Sequence, residues 1–108
     1  VHPLEIVKQI SDLTAESSRG SEALYEAEVR LAHAENELDL VEQRAFIKAE
    51  GTVADRTALA RLEAAESRLQ RDLRKAEANR IRVKIKGLES ALMAAATQAK
   101  LIATEMKL

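Results

Sequence analysis

Between Ile81 and Met106 the positions Ile81, Ile85, Leu88, Leu92, Ala95, Ala99, Ile102 and Met106 recur at alternating steps of four and three residues without a miss. That repeat puts all of them on one helical face, and over this length it is the seam of a coiled coil. A chain that carries it is committed to long helices packed side by side. With one proline, three glycines and 2% aromatic residues in 108, nothing competes with helix, and a sheet core would need β-branched and aromatic residues that are scarce here. The expected fold class is all-α.

Upstream, residues 3–13 (PLEIVKQISDL) place Leu4, Val7 and Ile10 in a row behind a proline suited to the first turn of a helix. Thr14 to Ser21 (TAESSRGS) has serines, a glycine and no large apolar residue, which predicts a hinge. Residues 1–20 are therefore expected to form a short N-terminal helix and a hinge, and residues 21–108 a helical hairpin; residues 3–13 are alternatively the start of a longer helix that continues the first arm. From Glu22 the heptad is regular: Leu24, Leu31, Leu38 and Ala45 take one position, Ala27, Ala34 and Val41 the other. Gly51 can close that helix in a left-handed conformation, and Thr52 with Asp55 has the spacing of a capping box.

With so short a connection the arms, 22–50 and 53–107, must lie antiparallel, residue i facing roughly 103 minus i. On the second arm Leu59, Leu62, Leu69, Leu73, Ala76 and Val83 form the stripe expected to face the first arm. From Ile81 the stripe jumps to the seam, a turn of roughly 100° in the apolar face. The second arm overhangs the first, so residues 81–106 are expected to be an oligomerisation segment, and a homo-oligomeric helical bundle or ring would bury them.

Several function classes are excluded or unsupported. There is no cysteine for a disulfide, a thiolate metal site or a thiol nucleophile. His2 and His33 are the only histidines; His33 with Glu37 offers two ligands at i, i+4 and no second pair, which falls far short of a metal site. No glycine-rich phosphate loop and no serine or threonine beside a plausible base occurs. No catalytic residue, cofactor or metal is expected. No apolar run is long enough for a membrane span, and no secretory leader is evident, so a cytoplasmic protein is the expectation.

Charge is the remaining signal. Residues 1–54 hold five Lys/Arg against eleven Asp/Glu, and residues 55–108 hold twelve against seven. Arg68, Arg71, Lys75, Arg82 and Lys86 fall within about 60° of one another at ~100° per residue, a positive rail suited to a phosphate backbone. Pairing with the acidic first arm is the competing use of these side chains: the hairpin mapping sets Arg74 and Lys75 near Glu28, and Arg80 near Glu22. From Arg68 to Lys86 there are eight basic residues and two acidic ones, more than local pairs absorb. At the turn, Arg44, Phe46 and Lys48 put two cations and an aromatic at the hairpin tip, with Phe46 expected to pack on the start of the second arm.

A helix ending in a basic-aromatic segment before glycine (RAFIKAEG, Arg44 to Gly51), a turn, and a long helix finishing in a small-residue apolar segment resembles the phage recombination mediators of the UvsY type. The likeness covers about Ala23 to Met106 and rests on the order of these features; the chain lacks a long loop after the glycine and has few aromatics. The resemblance implies a ring-forming helical oligomer that binds single-stranded DNA and helps load a phage recombinase in place of a single-strand binding protein, in the host cytoplasm. It implies that Arg44 and Lys48 contact DNA and that the seam from Ile81 to Met106 is the assembly helix. The alternative is a coiled-coil scaffold, adaptor or inhibitor whose rail binds an acidic protein partner.

Overall fold

A computed structural model describes residues 2–107; Val1 and Leu108, the outermost residues of the expected domains, lie outside the described residues. The fold is all-α, a helical hairpin of α1 (Pro3–Lys48), α2 (Val53–Glu63) and α3 (Ala65–Lys107). Two compact units are present: a terminal unit, of the residues up to Leu24 and those from Arg80 onward, and a hairpin unit, Tyr25–Asn79.

In the hairpin unit the turn follows its local chemistry. α1 stops at Lys48, Gly51 takes φ 109°, and Thr52 caps α2. Asp55 N donates to Thr52 Oγ1 at 3.1 Å and Thr52 N donates to Asp55 Oδ2 at 3.4 Å, closing the box reciprocally. The second arm is not one helix, as expected from the sequence, but two that meet at Ala64. The interruption is slight, since Ala64 N still donates to Ala60 O (3.0 Å) and Arg68 N to Ala64 O (2.9 Å).

The core of this unit is made of small residues. Ala27, Leu38 and Ala45 of α1 are buried together with Ala60, Ala64 and Ala78 of the second arm. The stripe Leu59, Leu62, Leu69, Leu73 and Ala76, expected to face the first arm, is instead exposed, as is Val83. The inward face is 60, 64, 67, 71, 74 and 78, which is the numbering frame that 81, 85 and 88 continue. The expected jump of register at Ile81 therefore does not exist. Alanine facing alanine and leucine lets backbones approach closely, and van der Waals contact along a close interface compensates for the smaller side chains.

In the terminal unit the expected break at 14–21 is absent, because α1 runs without interruption from Pro3. His2 starts it: its carbonyl accepts from Glu5 N (3.0 Å) and its Nδ1 accepts from Leu4 N (3.1 Å), which leaves Pro3 in the first turn. The weak helix formers are kept helical by their neighbours. Thr14 Oγ1 donates back to Ile10 O (2.8 Å), and Gly20 lies so close to α3 that a Cβ there would stand 3.1 Å from Ile85 Cγ1. Packing thus overrides propensity. The inward row at the start of α1 contains buried Ile6 and half-buried Ile10 and Leu13, whereas Leu4 and Val7 face out.

The continuous α1 also changes the role of the seam. Ile6 and Ile10 share a groove with Ala99 and Ile102, and Gly20 and Ala23 one with Ile81, Ile85 and Leu88. The C-terminal segment is matched by α1 of its own chain, antiparallel to it, and does not overhang.

Candidate nucleic-acid interface

The cations singled out in the sequence divide into those already engaged and those that face solvent. In the hairpin unit Arg68 is engaged: its Nη2 lies 3.0 Å from Glu42 Oε1 and 3.3 Å from the Arg61 carbonyl oxygen. Arg71 sits on the inward frame, half-buried, and its Nε donates to the neighbouring Asp72 at 2.7 Å. Lys75, one residue off that frame, is exposed. Arg44 and Lys48 are also exposed, one turn apart on the last stretch of α1. In the terminal unit Lys86 is exposed, together with Arg80 and Lys84, while Arg82 is half-buried and engaged by its surroundings.

A second polar cluster ties the two arms of the hairpin unit. Arg30 Nη2 stands 2.6 Å from Glu77 Oε1, and Arg74 Nη1 3.3 Å from Glu77 Oε2. The Glu77 carboxyl is held below its ordinary value, first by the hydrogen bond from Arg30, against partial desolvation, and further by the charges of Arg30 and Arg74. Arg74 therefore bonds within its own helix to the acid that also receives Arg30. These contacts are the competing use of basic side chains weighed in the sequence.

Phe46 packs on the start of the second arm, as expected: the Arg56 guanidinium lies 4.2 Å from the ring centroid and Arg56 Nε donates to the Phe46 carbonyl at 3.1 Å. Beside it an open groove of about 400 Å³ is lined by Glu42, Gln43, Phe46 and Ile47 of α1 and Thr57, Ala60 and Arg61 of α2. Arg44 and Lys48 are not in its lining.

The seam residues proposed for assembly all belong to the terminal unit. Ala95 is buried, Ile81, Ile85, Leu88, Leu92, Ala99 and Ile102 are half-buried, and Met106 is exposed. Large apolar side chains left outside include Leu4, Val7, Val83, Met93 and Leu101 besides Met106 in the terminal unit, and Ile47, Val53 and the row Leu59, Leu62, Leu69, Leu73 in the hairpin unit. The outward direction of that row was available from the sequence, because the frame of Ile81 extends backward without a phase change to Ala60. Arg71 and Arg74 at inward positions and the larger size of the leucines conceal it.

Among the described residues no group of three His, Cys, Asp or Glu side chains could hold a metal ion, and no helix is long and apolar enough to cross a membrane. Compared with protein-family models, with curated proteins and with solved structures, the chain shows no significant match.

Proposed function

We propose that this chain is a non-enzymatic, homo-oligomeric protein that binds single-stranded DNA and assists recombination by holding the strand for a phage recombinase, as the UvsY-type mediators it resembles do. The observation that carries the reading is the set of exposed cations: Arg44, Lys48 and Lys75 on the hairpin unit and Lys84 and Lys86 on the terminal unit all face solvent. Each is a weak phosphate contact, and an oligomer multiplies weak contacts. Little aromatic surface accompanies them, so the binding is to the backbone and without base preference. The place of action is the host cytoplasm.

The second reading, a scaffold or inhibitor whose rail binds an acidic partner protein, is favoured by one observation: with 2% aromatic residues the chain has little on which bases could stack, which a protein partner does not need. Affinity for a single-stranded oligonucleotide measured at two salt concentrations separates the readings. Binding that tightens steeply as salt falls supports the first. Weak binding that salt does not change overturns it and leaves the second.

A further inference from the structure

We propose that the groove between α1 and α3 in the terminal unit seats one phosphodiester of a nucleic-acid strand, held between Arg19 and Lys84. The inference rests on the DNA reading above and names a contact point for it, adding Arg19, which the positive rail does not include. The groove, of about 350 Å³, is lined by Glu16 and Arg19 of α1 and Lys84 of α3, all exposed. Among the half-buried residues that complete its lining are Ala23, Ile81 and Ile85. Gly20 also lines it, pressed against Ile85, so the two helices run close together at this level.

What sets this groove apart is that its cations are unused. In the hairpin unit Arg30 and Arg74 share Glu77, and Arg68 is held by Glu42. Among the described residues neither Arg19 nor Lys84 has a carboxylate partner, although Glu16 stands one turn before Arg19 on the same helix. A phosphodiester has two unbridged oxygens, one for a guanidinium and one for an ammonium, and the apolar side chains beside them strengthen both contacts by lowering the local dielectric. No aromatic residue lines the groove, so it offers bases no stacking surface and takes the backbone instead. Lys86 does not belong to it, being ~160° around α3 from Lys84 at ~100° per residue. Glu16 opposes an anion in the groove, which fixes the sign expected of its removal.

Binding of a short oligothymidylate by the full chain, measured over a range of salt concentrations, tests the assignment. Arg19→Gln and Lys84→Gln should each weaken it several-fold and flatten the salt dependence by about 0.7 in slope, the share of one phosphate on a single strand, with the melting temperature unchanged. Since the two hold the same phosphate, their losses should be less than additive, whereas those of Arg19→Gln and Lys86→Gln should add. Lys8→Gln and Lys100→Gln remove the same charge from exposed positions of the same unit outside the groove and should change affinity little. Glu16→Gln should tighten binding. Equal losses from Lys8→Gln and Lys100→Gln show attraction by net charge alone and overturn the proposal. So do strictly additive losses at Arg19 and Lys84, or affinity that neither change lowers; in each of these cases the parent still binds in a salt-dependent way and the DNA reading stands. A parent chain that binds no oligonucleotide at low salt overturns both, and Arg19-dependent binding of a polyglutamate peptide in its place gives the groove to an acidic protein partner.

Discussion

Arg30 and Glu77 meet across the two arms of the hairpin unit, guanidinium nitrogen to carboxylate oxygen, at 2.6 Å. The pair fixes the alignment of α1 against α3 at that level, close to the mapping expected from the short turn but displaced along the helices. Both side chains keep substantial contact with solvent, so its value lies in register more than in strength.

Because Glu77 titrates below the ordinary carboxylate range when folded, its contribution to stability is fully present at neutral pH, above the unfolded value. It is lost as pH falls through the lower, folded value. Thermal melts of the parent and of Glu77→Gln are expected to lie closest together in acid and to separate as the pH is raised towards neutral. Curves separated by the same interval at every pH contradict it.

The alanine core makes an inverted prediction about size. Ala64→Leu and Ala78→Leu enlarge residues that are 0% exposed and should each cost about 1–3 kcal/mol or more. Leu69→Gln, on the outward row, should shift monomer stability by no more than about 0.5 kcal/mol. Urea unfolding at low protein concentration measures both.

At Gly20 the tolerance for added bulk is small, since Ile85 Cγ1 stands 3.1 Å from the place of a Cβ. Gly20→Leu should destabilise the terminal unit by about 1–3 kcal/mol. Combining it with Ile85→Ala should cost less than the sum of the two single changes, a non-additivity read from a double-mutant cycle.

The turn has two separable supports. Gly51 has φ 109°, and a Cβ there would stand 3.0 Å from Asp55 Oδ2, so Gly51→Ala should cost roughly 1–2 kcal/mol. Thr52→Ala removes the cap and should cost ~1 kcal/mol. Chemical denaturation of the two variants checks the order.

Charge reversal distinguishes the free cations from the engaged ones. Lys75→Glu and Lys86→Glu should lower oligonucleotide affinity several-fold and reduce its salt dependence while leaving the melting temperature nearly unchanged. Arg68→Glu should lower the melting temperature as well, because Glu42 then faces a like charge. Equal effects of all three on stability, with none on binding, would show that the exposed lysines are ordinary solvated side chains.

Local chemistry determined a large part of this protein before any packing was considered. The heptads of α1 from Leu24 to Ala45, the seam from Ile81 onward, the Gly51 turn and the Thr52–Asp55 box are all short-range patterns, and each forms as its residues dictate. The helical class follows from them. Tertiary structure decided which stripe of the second arm faces inward and whether α1 breaks. Leucines outweigh alanines in any count of apolar size, yet the helices bury Ala60, Ala64 and Ala78 and leave Leu62 and Leu73 outside, because close backbone approach over many residues favours small side chains at the contact. Likewise Ser17 and Gly20 are poor helix formers by themselves, but α3 lies against that stretch and a small residue is what the space beside Ile85 admits. Which cations remain free followed from the same choice of face: turning the alanines inward brought Arg68 to Glu42 and left Lys75 in solvent.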